Sequence, residues 1–169
     1  AGEVDAAQRL RRRHGEPLVL FLGVLRQYKG LDVLVRAMQM VEAHLVIAGR
    51  GPRRAELEIL VRELGLEGRV TFLGEVTDVE RRVLMHACDI FALPSIDRRE
   101  AFGITQVEAM ACGKAVVTSD LPTGVRSLVQ SGQTGLLVPP GDARALADAV
   151  NMLVEDDHLR AALGKSARE

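Results

Sequence analysis

The sequence predicts an α/β protein, a three-layer α/β/α arrangement around a mostly parallel sheet of about six strands. Two observations carry this. Short apolar runs without polar alternation recur along the chain, the first from Leu18 to Leu25, and such runs mark strands buried on both faces. Amphipathic stretches of helical period separate them. Strand–helix alternation repeated five or six times implies a parallel sheet with right-handed crossovers. The 169 residues suit one domain with a single substantial core.

The elements follow in order. Residues 5–14 read as a basic helix ending at Gly15, and 18–25 as the first strand. Residues 29–41 form a helix with Leu31, Leu34, Val35 and Met38 on one side, and 44–48 a second strand. The helix over 52–64 has Pro52 just inside its start and Gly65 just past its end. A third strand spans 69–73, a helix 79–87, and a fourth strand 89–93, which Pro94 stops. After an irregular segment, 94–101, a helix over 103–111 closes at Gly113. A fifth strand (115–118), a short helix or turn (122–130) and a sixth short strand (135–138) come next. A helix over 142–154, capped by Asp142, precedes a final one over 156–163.

Composition narrows the function. The net charge of −1 gives no bulk pull toward nucleic acid or anionic lipid. Aromatics are 3 % of the chain, with no Trp and one Tyr, so base-stacking platforms are lacking and no nucleic-acid partner is expected. Cys88 and Cys112 read as buried, reduced thiols. His14, His44, His86 and His158 show no ligand spacing, so no metal site is expected. The basic run 9–14 reads as a solvated helix face or as a contact for a membrane or partner. No apolar run approaches the ~20 residues of a membrane helix, and no signal-peptide core begins the chain, so the expected setting is soluble, reducing and cytoplasmic.

In parallel α/β sheets ligands bind outside the carboxyl ends of the strands, which directs attention to 23–30, 49–53, 74–78, 94–103 and 119–126. The first loop is a glycine-containing turn into a helix, with Arg26 and Lys29 adding charge. It reads either as an anion site or as two solvated cations. The second, Gly49-Arg50-Gly51-Pro52, lacks the third glycine of a dinucleotide fingerprint. It reads as a tight turn or as a close backbone approach to a ligand.

The fourth loop is the most informative. With a helix starting near Gly103, the buried stripe is expected to hold Ile104, Val107 and Ala111. Glu108 then lies about 40° from Ile104 and about 60° from Ala111. A carboxylate beside the core needs a partner, either a neighbouring Arg or backbone N–H, or a ligand hydroxyl. Glu100 faces the same mouth, and the helix start at Gly103 offers N–H groups to a phosphate. Hydroxyls at both ends with phosphate between is the layout of a nucleotide sugar.

Seven residues separate Glu100 from Glu108. This spacing, with Phe102-Gly103 and Ala109-Met110-Ala111-x-Gly113, resembles the E-x7-E motif of retaining GT-B glycosyltransferases, most closely glycosyltransferase family 4. Lys29-Gly30, Gly49-x-Gly51-Pro52, Phe72-Leu73-Gly74, Leu93-Pro94-Ser95, Thr134 to Val138 and Gly164 extend the resemblance over 17–165. It implies a Rossmann-like fold, one half of a GT-B enzyme, with 1–169 as a single donor-binding domain. An N-terminal acceptor domain and a final C-terminal return helix are expected outside it, so the chain alone is expected to be inactive. The expected substrate is a UDP-, GDP- or ADP-sugar, used in glycan, polysaccharide or glycolipid synthesis without a required cofactor or metal. Peripheral association of the longer enzyme with the inner face of the cytoplasmic membrane is compatible with it.

The resemblance also implies roles. Lys29 binds the donor diphosphate and Glu100 the transferred sugar, as the catalytic pair. Glu108 holds ribose hydroxyls. Gly49, Arg50, Gly51, Val76 and Thr77 flank the base, and Ser95 lies beside the donor. Phe102, Gly103 and Ile104 present backbone N–H groups. Two departures stand out. Val24 occupies a position where the family usually carries Arg, leaving Arg26 as the candidate substitute. Pro122-Thr123-Gly124-Val125-Arg126 replaces a Gly-x-Pro-Glu turn. Two other readings are a non-catalytic nucleotide-sugar module and an unrelated doubly wound enzyme such as a dehydrogenase. The missing third glycine, and the lack of an acidic residue closing the second strand, count against the dehydrogenase.

Overall fold

A computed structural model describes residues 2–169. Six parallel strands form one sheet in the order β3-β2-β1-β4-β5-β6. They are β1 (Leu18–Leu22), β2 (His44–Ala48), β3 (Val70–Gly74), β4 (Ile90–Leu93), β5 (Ala115–Ser119) and β6 (Leu136–Val138). β1, β4 and β5 are buried at every position, as their unbroken apolar runs require. The edge strand β3 is mostly half-buried and carries its polar residue, Thr71, within the strand.

Among the described residues, eight α-helices complete the fold: α1 (Gly2–His14), α2 (Leu31–Ala37), α3 (Arg54–Glu63), α4 (Asp78–Ala87), α5 (Ile104–Ala111), α6 (Gly124–Leu128), α7 (Ala143–Glu155) and α8 (Asp157–Arg168). α2 packs against α3 and α7, α1 against α4, and α5 against α8, giving a helical layer on each face of the sheet. The three-layer expectation is therefore met. Asp142 caps α7 through a bond from the Ala145 N–H (2.9 Å), as its position predicts. The strand order reverses direction at β1 and β4, so the crevice above their carboxyl ends is the topological switch point.

Three local expectations are corrected. The helix expected over 29–41 is broken into a 3-10 turn (Gln27–Lys29), α2, and a second 3-10 turn (Met38–Met40). The break comes at Gly30, whose φ of +66° is left-handed. The last helix runs through Gly164 instead of ending before it. A Cβ there would stand 2.2 Å from the Gly113 carbonyl, so this glycine admits a close crossing and does not end the helix. Third, Arg11 leaves the solvated face of the basic run. It donates to the Ala87 carbonyl (2.7 Å) and to Asp89 (2.9 Å), and Asp89 accepts the Leu18 N–H (2.7 Å). One guanidinium thus ties α1 to the starts of β1 and β4. Both cysteines are free thiols; Cys88 is fully buried as expected and its thiol pushed up to about 12 by desolvation, whereas Cys112 is only partly buried.

Gly30 carries a second constraint. A Cβ on it would meet the Pro94 carbonyl oxygen at 2.0 Å, because the chain leaving β4 crosses directly over it. Gly65 has nearly the same φ, +67°, but open space around it. Gly65→Ala is therefore expected to cost only the left-handed strain, about 1 kcal/mol. Gly30→Ala should cost about 3 kcal/mol, since the crossing must also open. Urea unfolding of the two variants measures the difference, and equal losses would contradict the crossing.

Candidate functional site

The crossing at Gly30 brings the β1 and β4 loops together. The Ile96 N–H donates to the Tyr28 carbonyl (2.8 Å). Lys29 then reaches Glu100, with Nζ 2.5 Å from Oε2, and the Ser95 hydroxyl donates to the same oxygen at 2.8 Å. All three are substantially buried; the side chains of Lys29 and Glu100 are 13 % and 8 % exposed. The lysine ammonium also lies 5.2 Å from the centre of the Tyr28 ring, and the Arg99 guanidinium 5.3 Å. Lys29, Ser95 and Glu100, singled out separately in the sequence, thus form one contact cluster at the switch point.

α5 starts beside this cluster. Gly103, in a left-handed conformation, is its N-cap, and no side chain caps the helix. Its first N–H groups are therefore available to an anion at the positive end of the helix. The helix phase differs from the expected one. Gln106, Ala109 and Met110 face inward with Gly103, whereas Ile104 is 72 % exposed and Val107 and Ala111 are also exposed. Two contacts rotate it. A Cβ on Gly103 would lie 2.6 Å from Leu93 Cδ2, so only a glycine lets the helix begin against the end of β4. The buried Gln106 amide donates to the Phe102 (3.4 Å) and Val125 (3.3 Å) carbonyls, tying α5 to the first turn of α6. A buried polar residue serving backbone carbonyls is invisible to an apolar count. Phe102, expected near the donor, is 66 % exposed and packs its ring over Gly124.

Glu108 consequently does not border the core. Its carboxylate is 40 % exposed and accepts two bonds from Arg81 Nη2, at 2.7 and 2.5 Å. The requirement for a partner is thus met by an arginine of α4. Arg81 escaped the sequence reading because it lies inside a helix and not in a strand-end loop.

A cavity of ≈ 360 Å³ adjoins the carboxyl ends of β1, β2 and β3, lined by Gly23, Val24, Gly49, Arg50, Val76, Arg81 and Thr105 among others. It gathers three of the proposed base-flanking residues. The other two differ. The Thr77 hydroxyl is committed to a capping box with Glu80, which starts α4. Gly51 faces the backbone of Leu25, where a Cβ would stand 2.5 Å from N, and a Cβ on Gly49 would stand 1.9 Å from the Gly23 carbonyl. The close approach in this motif is therefore between two loops of the chain itself. Arg26 is exposed and lies outside the lining, whereas Val24 is part of it. A larger cavity, ≈ 610 Å³, lies at the opposite, amino end of the strands beside His14, His44 and Arg69. Size favours it, but the α5 helix start and the Lys29–Glu100 cluster lie at the carboxyl end, where ligands of parallel sheets bind.

The family model described as glycosyl transferases group 1 matches residues 5–169. The chain belongs to this family. A D-rhamnosyltransferase of Pseudomonas aeruginosa is 38 % identical over 165 residues, covering 96 % of this chain and 43 % of the relative. A phosphatidyl-myo-inositol mannosyltransferase of Mycobacterium leprae is 40 % identical over 148 residues, covering 84 % and 38 %. The crystal structure of Anabaena HepE in complex with UDP superimposes with a TM-score of 0.89 at 32 % identity, covering 97 % of this chain and 47 % of that one. The chain therefore spans less than half the length of these relatives. The Rossmann-like, GT-B type of domain is shared with them. No helix among the described residues is long and apolar enough to cross a membrane.

The buried pair at the centre of this glycosyltransferase domain makes a stability prediction. Lys29→Met leaves the Glu100 carboxylate buried without its cation and should lower unfolding stability by about 3 kcal/mol. Adding Glu100→Gln removes the stranded charge and should recover most of the loss. A double variant as unstable as Lys29→Met alone, in chemical denaturation, would show that the loss has another origin.

Proposed function

We propose that this chain is the nucleotide-sugar donor-binding domain of a retaining glycosyltransferase of the family 4 type, acting in glycan, polysaccharide or glycolipid synthesis. The observation that carries the reading is the convergence of Lys29, Ser95 and Glu100 beside an uncapped helix start at the topological switch point. A cation and a row of free N–H groups suit a diphosphate, and the two carboxylates suit hydroxyls on either side. In transfer, negative charge develops on the leaving diphosphate. Lys29 and the first N–H groups of α5 are placed to stabilise it, and Glu100, released from Lys29, accepts from hydroxyls of the sugar. The structures of Anabaena HepE with UDP and with UDP-glucose support this class of donor.

In this reading the acceptor is held by another domain of a longer, cytoplasmic protein working at the inner face of the membrane. The exposed apolar side chains of Phe102 and Ile104, at the rim of the site, suit coverage by such a domain.

A thermal-shift titration with UDP-, GDP- and ADP-sugars tests donor binding. One of them, at a hundredfold excess over its dissociation constant, should stabilise the chain by about 2.7 kcal/mol and raise Tm by about 5–10 °C. Lys29→Ala and Glu108→Ala should each weaken that nucleotide at least tenfold. Unchanged affinity in both variants would place the donor elsewhere.

A further inference from the structure

Arg81 lies at the boundary of two adjoining cavities and, among the described residues, is the one that lines both. The first is the cavity above β1, β2 and β3, which it shares with Gly23, Val24, Gly49 and Arg50; the second lies between α4 and α5, where it meets Glu108. Only Nη2 of its guanidinium donates to Glu108. A guanidinium carries five N–H donors in a planar fork, so Nε and Nη1 remain for another acceptor.

The first cavity has two arginines. Arg50 is 77 % exposed and paired at 3.3 Å with Glu75, which is also exposed, so solvent and salt weaken its field. Arg81 is only 33 % exposed, and its charge acts through less water. Beside the neighbouring Tyr28 ring, Lys29 is engaged by Glu100 and Arg99 by Asp97. The lining of the same cavity includes Val24, which offers no charge.

We propose that Arg81 is a donor-site residue: one nitrogen fixes the Glu108 carboxylate, and the rest of the guanidinium binds a phosphate of the nucleoside diphosphate in the adjoining cavity. The proposal rests on the donor-binding reading above and adds a residue that the motif does not contain. A hydroxyl does not need to displace Arg81 from Glu108. Each carboxylate oxygen can accept more than one bond, and the charge-assisted contact is the stronger. Glu108 is thereby held in place for a ribose hydroxyl.

The test is an NMR titration of the isotope-labelled 169-residue chain with UDP, GDP and ADP and with the matching nucleosides. If none of the three diphosphates binds the unaltered chain, the donor-binding reading falls and this proposal with it. If one binds, Arg81→Ala should raise its Kd tenfold or more while changing the nucleoside Kd less than threefold. Arg81→Gln, which keeps the length without the charge, should do the same, and the ligand-free spectra report whether either variant has lost its fold. Val24→Arg in the Arg81→Ala background returns a cation to the same cavity and should recover at least threefold in diphosphate affinity. A diphosphate Kd within twofold of the unaltered chain in both variants would overturn the proposal while leaving the donor-binding reading intact. Equal losses for diphosphate and nucleoside would also overturn it, by showing that Arg81 acts through Glu108 alone.

Discussion

Where the chain leaves β4, the Pro94 carbonyl lies so close over Gly30 that a side chain there would stand 2.0 Å from it. The candidate site depends on this crossing. It sets the β1 loop against the β4 loop, which are far apart in sequence, and a backbone bond from Ile96 to Tyr28 fixes them. Only then can Lys29 reach Glu100 from the neighbouring turn. A similar contact joins the next pair, where Gly49 lies against the Gly23 carbonyl. The strand-end loops are stacked backbone on backbone, and the side chains with chemistry project from a braced platform.

The two carboxylates of the motif sit in different surroundings. Glu100 is buried with its lysine and a serine hydroxyl, so separating that pair strands a charge in a poorly solvated place. Glu108 and its arginine are both partly open to water, where an ion pair is worth about 1 kcal/mol or less. A ligand entering the site therefore meets one stiff contact and one soft one. A diphosphate that recruits Lys29 has to offer as much as Glu100 does, and Ser95 remains to satisfy the released carboxylate.

The strands were legible in the sequence, because a doubly covered parallel sheet demands unbroken apolar runs; β2 carries the expected bounds, 44–48. The site was legible in part. The spacing of Glu100 and Glu108, and the places of Lys29 and Ser95 just past strand ends, point to one mouth. What stayed hidden is tertiary. The phase of α5 is set by the fit of Gly103 on Leu93 and by the buried Gln106 amide, and neither contributes to an apolar stripe. Arg81 is an ordinary surface arginine of α4 until α5 is laid beside it. The glycines at 49 and 51, which read either as a tight turn or as a close approach to a ligand, lie against another loop of the chain.

A crystal structure of the chain with a bound nucleoside diphosphate tests the central claim most directly. The account places the diphosphate between Lys29 and the first turn of α5, with Lys29 drawn away from Glu100. A nucleotide seated instead at the amino-end cavity beside His14 and His44, with the Lys29–Glu100 pair intact, would contradict it.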